Sequence, residues 1–171
     1  MKSTMFIRIL IILLLVFVNI GCDQISKSVA RENIEYHEHI EVIGNHLILT
    51  KVENTGAFLG LGSSLHPVLK YFLLLILPSL VLIILLGILI AKPQFDRPVI
   101  VALTFIIGGG IGNMIDRFAY GSVTDFLHID FEIFRTGIFN MADVSVMAGT
   151  IIIVLYSILM NRKKSKVEQA H

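Results

Sequence analysis

The chain has 171 residues, 55% of them hydrophobic and only 16% charged, with a formal net charge of +1. A soluble domain of this length keeps too large a surface fraction to hide that much apolar side chain, so the bilayer is its natural solvent. The near-neutral charge supplies no basic field for nucleic acid, and a single cysteine excludes an internal disulfide and a cysteine-rich metal site.

In chain order, four segments reach or approach the roughly 20 apolar residues that a helix needs to cross a hydrocarbon core of about 30 Å. The first is about Met5–Gly21, "MFIRILIILLLVFVNIG", with Arg8 near its start. A long connection follows at about residues 23–67. Its stretch "HIEVIGNHLILTKVENTGAFLGLG" alternates and is rich in Ile, Val, Leu and Thr, with turn signals at Gly44-Asn45 and Asn54-Thr55-Gly56, which predicts a small sheet. The second span is about Val68–Ala91; Pro78 inside it predicts a kink, tolerable in lipid when neighbours satisfy the freed carbonyl. The third is about Pro98–Ile115 and the fourth about Ile138–Met160, joined by a connection at about residues 116–137. The expected fold class is an all-α membrane protein of one domain, residues 1–171, with four transmembrane helices and a small sheet on the outer membrane face.

Four spans put both termini on one side. Lys2, Arg8, Lys92, Arg97 and the basic residues of the tail "NRKKSK" make eight of the fourteen lysines and arginines, all on short segments of that side. The positive-inside rule marks it as cytoplasmic and places the two longer connections outside.

The first apolar run closes on "VNIGC", and a greasy N-terminal stretch ending in a lone cysteine resembles the signal peptide of a bacterial lipoprotein. That signal needs a small or branched apolar residue three places before the cysteine, and this chain has Asn19 there. Three further spans follow, whereas lipoproteins are otherwise soluble, tethered domains. Cys22 reads instead as a small apolar residue at a helix end.

Ionisable residues at the edge of a span are expensive unless paired or functional. They gather at the outer ends of the third and fourth spans, in "GGGIGNMIDR" (Gly108–Arg117), "VTDF" (Val123–Phe126) and "FNMAD" (Phe139–Asp143). Gly108 and Gly112 share a helical face, as do Gly109, Asn113 and Asp116, and small residues at that spacing let backbones approach closely. Asn113 and Arg117 are one turn apart and project a polar pair toward the outer surface, with a snorkelling anchor as the plainer role for Arg117. Asp143 falls about five residues into the fourth span, near a helix N-terminus, where a capping role competes with a chemical one; Asn140 lies one turn earlier. Asp125 lies at the other end of the outer connection. A hairpin-like return of that connection brings both carboxylates to one depth. Held within hydrogen-bond reach they share a proton, so that one activates a water and the other polarises a scissile carbonyl. This is aspartic-peptidase chemistry, although two membrane aspartates equally suit proton or cation transport. Upstream, Asp23 and Lys27 stand four apart in the favourable order for a helical ion pair and read as scaffold for the sheet, with substrate contact as the alternative. The histidines at 37, 39, 46, 66, 128 and 171 contain no HExxH and read as solvated, so neither metal nor cofactor is expected.

Together, "DQISK" (Asp23–Lys27), "ENTGAF" (Glu53–Phe58), "GGGIGNMIDR", "VTDF" and "FNMAD" resemble the motifs of the prolipoprotein signal peptidases, in the family's order and at its usual separations. The resemblance implies a bacterial inner-membrane aspartic endopeptidase, acting at the extracytoplasmic face. Its substrates are prolipoproteins already carrying diacylglycerol on the cysteine that becomes the new N-terminus. It implies that the catalytic pair is Asp125 and Asp143. Asn54, Gly56, Asn113, Arg117 and Asn140 would bind substrate or position the dyad, and Asp23, Lys27, Asp116 and Ala142 would be structural motif positions. It also implies an extracytoplasmic β-sheet cradle, membrane lipids as partners, inhibition by globomycin-type cyclic peptides, and no nucleic acid; a monomer is expected. The competing class, a small proton- or cation-coupled transporter, calls for polar residues at mid-bilayer and a structural repeat, whereas the middles of these spans are plain Leu, Ile and Val.

Overall fold

The first apolar run does not end its helix. In the computed structural model, which describes residues 2–57, 60–131 and 133–168, helix α1 spans Lys2–Asn33 and continues about three turns past Cys22. Asp23, Lys27 and Arg31 recur at every fourth position of that extension, so their charges share one face, and a neighbouring helix satisfies them. Hydrophobicity marks where lipid contact stops, whereas the helical ladder continues for as long as its polar face finds partners. At the C-terminal end of α1 the buried Lys51 ammonium donates to Arg31 O at 3.0 Å and lies 4.6 Å from the Tyr36 ring centroid. A cation is well placed there because the last turn of a helix presents unpaired carbonyls.

The long connection carries strands β1 (Ile40–Ile43) and β2 (Leu47–Asn54), an antiparallel pair turned at Gly44, whose φ is +48°. Helix α2 spans Pro67–Ala91. At Pro78 the sequence predicts a kink; the irregularity takes the form of a π-helical turn over Phe72–Ile76, which ends two residues before the proline. Pro78 has no N–H to offer, and its ring crowds the carbonyl one turn back. A wider turn, with Leu77 N–H donating to Phe72 O, relieves both problems. The C-terminus of α2 is capped from another helix: Arg8 Nη2 donates to Leu89 O and Lys92 O, each at 2.8 Å.

Helix α3 spans Arg97–Tyr120, starts with a proline in its first turn and stops at Gly121, whose φ of +76° suits glycine. Strand β3 (Val123–Ile129) follows and pairs antiparallel with β2, giving the sheet order β1-β2-β3. Helix α4 spans Met141–Glu168. The helices therefore depart from the expected bounds. The connections assigned to about 23–67 and 116–137 begin with helical residues 23–33 and 116–120, the second of them also holds β3, and α4 starts three residues after Ile138.

Helix α3 is the centre of the bundle and packs against α1, α2 and α4. Its glycine run explains how. Successive helical positions turn by about 100°, so three adjacent glycines face three neighbours. A Cβ on Gly108 would meet Asn19 Cβ of α1 at 2.6 Å, one on Gly110 would meet Leu82 of α2 at 2.6 Å, and one on Gly109 would strike the Ala142 carbonyl of α4. Gly112 completes the α1 seam, where a Cβ would lie 2.5 Å from an Asp23 carboxylate oxygen. The expectation of a seam at positions 108 and 112 holds, and the run serves two more helices besides.

Ile12, Val16, Leu89 and Ile107 are buried between the helices, and Ala30, Ile34 and Phe126 under the sheet. Most other apolar helix residues face outward. Four helices, Met5–Asn33, Pro67–Ala91, Arg97–Tyr120 and Met141–Arg162, are long and apolar enough to cross a membrane. The fold is that of a multi-pass membrane protein.

Candidate active site

The site forms where β3 returns toward α4. After Ile129 the chain reverses, and Phe139 pairs with the strand it left: Phe126 N–H and Leu127 N–H donate to Phe139 O at 3.0 and 2.8 Å, and Phe139 N–H donates to Leu127 O at 2.8 Å. This clamp sets Asn140 beside Asp125, with Asn140 Nδ2 donating to Asp125 Oδ1 at 2.6 Å. The other Asp125 oxygen accepts from Asn54 Nδ2 at 3.0 Å. Val52 is the strand partner of Asp125, so Asn54 is its diagonal neighbour on the same face, within reach of a short side chain.

Asp143 is the third residue of α4, and Asn140 immediately precedes the helix. They cap each other: Asp143 N–H donates to Asn140 Oδ1 at 3.0 Å, and Asn140 N–H donates to Asp143 Oδ2 at 3.2 Å. The capping role weighed against chemistry for Asp143 is therefore real, and it fixes the direction of the carboxylate. Asp143 Oδ1 accepts from Asn113 Nδ2 at 2.9 Å, and Asn113 Oδ1 accepts from Asn140 Nδ2 at 3.2 Å. Both carboxylates thus belong to one network joined by two asparagine amides. Burial pushes the Asp125 carboxyl up to about 6; the Asn54 amide pulls it down, the negative charge of Asp143 pushes it up again, and the Asn140 amide pulls it down.

Asp125, Asp143, Asn54, Asn113, Arg117 and Asn140 form the polar end of a cavity of about 880 Å³. Its walls are apolar: Leu73, Leu74 and Pro78 from the π-helical region of α2, and Val144, Met147 and Ile151 from α4. Residues 134–139 of the returning segment cover it.

Gly56 and Arg117 close the polar rim. Gly56 N–H donates to Asn54 Oδ1 at 2.9 Å, and a Cβ there would come within 2.5 Å of the Gly60 backbone, so the turn requires glycine. Arg117 Nη2 donates to Gly56 O at 2.9 Å, which makes it a tether for that turn and not the snorkelling anchor of the plainer reading. Phe58, the last residue of "ENTGAF", lies outside the described residues.

The remaining motif positions form a buried ionic cluster behind the site. Lys27 Nζ lies 2.9 Å from Asp23 Oδ2 and 3.2 Å from Asp116 Oδ2, and Arg31 Nη2 lies 2.8 Å from Asp116 Oδ1. Asp23 Oδ1 accepts from Ala142 N–H at 2.8 Å, satisfying an orphan amide in the first turn of α4. Asp116 Oδ2 accepts from Thr124 N–H at 3.1 Å and holds β3 to α3. Asp23 and Lys27 were expected to support the sheet; they instead bind α1 to α3 and α4, because their face of α1 points into the bundle.

Sequence reasoning missed several members of this network. Gln24 bridges Asp23, Asp116 and Gly112 O. Asn19 accepts from Ser145 Oγ at 2.9 Å, so the residue out of place in a lipidation signal joins α1 to α4. Glu53 accepts from Thr124 Oγ1 at 2.8 Å and from Ser122 Oγ. Each had some signal: Arg31 stands four residues after Lys27, Gln24 and Glu53 lie inside the quoted motifs, and Asn19 is polar within an apolar run. Among the histidines, His46 stacks on Phe131 and bonds Asp130 O, and His128 is half-buried on β3, so neither is simply solvated; His171 lies outside the described residues.

The family model described as signal peptidase (SPase) II matches residues 12–159. A lipoprotein signal peptidase of Desulforapulum autotrophicum is 32% identical over 143 residues, which cover 84% of this chain and 88% of that protein. One from Moorella thermoacetica is 37% identical over 142 residues, covering 82% and 88%. A solved bacterial membrane enzyme shares the fold with a TM-score of 0.79 at 28% identity, covering 90% of each chain.

Proposed function

The chain belongs to the signal peptidase II family, and on that premise we propose that it is an aspartic endopeptidase of the bacterial cytoplasmic membrane that cuts diacylglyceryl-modified prolipoproteins just before the lipidated cysteine. Asp125 and Asp143 are the catalytic pair in this reading. The observation that carries it is their convergence, through the shared amides of Asn140 and Asn113, on the polar end of a cavity with apolar walls.

The chemistry follows from that placement. A signal peptide in lipid satisfies its own backbone as a helix, and cleavage needs an extended, accessible bond. The apolar walls between α2 and α4 suit the signal segment and the acyl chains. The polar end suits backbone groups freed on unwinding, with Asn54 and Arg117 nearest to receive them. The dyad carries one proton: the ionised carboxylate takes a proton from water as it attacks the scissile carbonyl, and the protonated one donates to the carbonyl oxygen. The basic residues gathered on the side of the two termini support an extracytoplasmic position for this end of the bundle.

Two outcomes are expected. Purified enzyme in lipid releases the signal peptide from a diacylglyceryl precursor and leaves the lipidated cysteine at the product N-terminus by mass. The unlipidated precursor is cut at least about tenfold more slowly, because binding energy remote from the scissile bond is lost. Equal cleavage of both precursors, or none of either, refutes the reading. A proton flux in liposomes that Asp143→Asn abolishes favours a transporter instead.

A further outcome concerns pH. The dyad works only while it holds its one proton, and burial pushes the Asp125 carboxyl of that pair up to about 6. The kcat/KM profile, which reports the free enzyme, should turn down on the alkaline side near pH 6, and the kcat limb should lie higher because bound substrate has displaced water. A kcat/KM limb confined to the ordinary carboxylate range contradicts this. Since the folded state holds this proton more tightly than the unfolded chain, the group's contribution to stability falls as pH rises from the ordinary carboxylate range to about 6.

A further inference from the structure

We propose that Lys27 is a positioning residue for the reaction, acting through the side-chain amide of Asn113 by fixing which end of that amide faces Asp143. The proposal rests on Asp143 being a catalytic carboxylate, and it gives a function to a lysine that does not line the cavity.

Lys27 is fully buried on α1. Its ammonium has three N–H donors and no acceptor. Three oxygens receive them: Asp23 Oδ2 at 2.9 Å, Asp116 Oδ2 at 3.2 Å and Asn113 Oδ1 at 2.9 Å. Asp23 and Asp116 are balanced in charge by Lys27 and Arg31, so the ionic cluster is electrically closed without Asn113. The third N–H points out of that cluster toward the dyad.

A carboxamide is nearly symmetric in shape and opposite in polarity at its two ends. In the observed orientation Asn113 Oδ1 accepts from Lys27 and from Asn140 Nδ2, and Asn113 Nδ2 donates to Asp143 Oδ1. Turned over, the NH2 group would face an ammonium and another amide donor, while the oxygen would face the Asp143 carboxylate. Both contacts would be repulsive, in a buried setting that magnifies the penalty. The Asn140 amide alone is a weaker constraint, because its own NH2 is shared with Asp125. An ammonium has only donors to present, so it permits one orientation. Lys27 thereby holds a hydrogen-bond donor on one oxygen of Asp143 and leaves the carboxylate aimed at the cavity. Its positive charge also reaches the dyad, where it favours the ionised form of Asp125.

The test is a double-mutant cycle between Lys27→Met and Asn113→Ala, read in kcat on a lipidated precursor. Lys27→Met should lower kcat by about 10- to 100-fold with KM little changed, the scale expected when a reacting group is misplaced by a fraction of an ångström to an ångström. In the Asn113→Ala background the same substitution should cost less than about threefold, because the amide it orients is already gone. The alkaline limb of the pH profile should move upward in Lys27→Met, since a cation that favours the ionised dyad is lost. A lysine that only holds the helices together gives the opposite pattern in kcat: additive losses in the two backgrounds. Additivity overturns the proposal. If Lys27→Met does not accumulate in the membrane, Lys27→Arg serves in the same cycle, since a planar guanidinium keeps the charge but cannot donate in the three directions of an ammonium. Normal turnover by Asp143→Asn removes the underlying reading and the proposal with it. An inactive Asp143→Asn beside an additive cycle overturns the proposal alone.

Discussion

Asp125→Asn and Asp143→Asn should each lower kcat/KM on a lipidated precursor by about 10²–10⁴-fold, the range for removing a positioned acid or base, while the protein still accumulates in the membrane. The amide is close in size to the carboxylate, so the cavity keeps its shape. What changes is the pattern of donors. Both Asp125 oxygens accept from amide NH2 groups, of Asn54 and Asn140. Asparagine at position 125 offers one acceptor and sets an NH2 against one of those donors, a folding cost of about 1–3 kcal/mol. At position 143 the new amide can keep its oxygen on Asn140 N–H, preserving much of the cap, and then turns its NH2 toward Asn113. The cap contributes about 1 kcal/mol to the helix. The new NH2 meets the Asn113 NH2, so some stability is lost here too; abolished cleavage by protein that still folds identifies the carboxylate as a reacting group. Wild-type turnover by either variant would sink the dyad.

Asp116→Ala should cost about 3–5 kcal/mol of stability, the scale for breaking a buried ion pair from one side, and lower the unfolding temperature in detergent by on the order of 10 °C. Asp116 is fully buried and answers two cations, Lys27 and Arg31, besides the Thr124 N–H and the Gln24 amide. The deletion leaves Arg31 without its carboxylate, Lys27 with only Asp23, and a strand amide without its acceptor. Thr124 directly precedes Asp125, so activity should fall even in the fraction that stays folded. Asp116→Asn retains an acceptor for one of these groups and should lose less. An alanine variant melting within a degree of the parent would mean that the cluster adds nothing net to the fold.

Much of the membrane architecture was legible because it depends on composition alone. Long apolar runs have one stable solution in lipid, and the helices over Pro67–Ala91 and Arg97–Tyr120 begin and end within a few residues of the apolar segments that announce them, except where α3 runs on to Tyr120. The extension of α1 past Cys22 was not legible from hydrophobicity, although the fourfold spacing of Asp23, Lys27 and Arg31 hinted at it. Their charges are tolerable only because α3 supplies Asp116 and Asn113. Strand β3 was missed for a similar reason: "VTDFLHI" is short and does not alternate, and it extends because β2 lies beside it.

The sequence by itself determined that the chain lives in a bilayer, that its polar residues gather at one rim, and which side chains have chemistry to offer. These are properties of residue type and spacing. The tertiary structure alone decided that Asp125 and Asp143 share one network, that Asn140 joins them, and that the Lys27 ammonium reaches the Asn113 amide between them. Those facts depend on where a returning strand crosses a helix terminus, and hydrogen bonds linking residues distant along the chain leave no periodic trace in it.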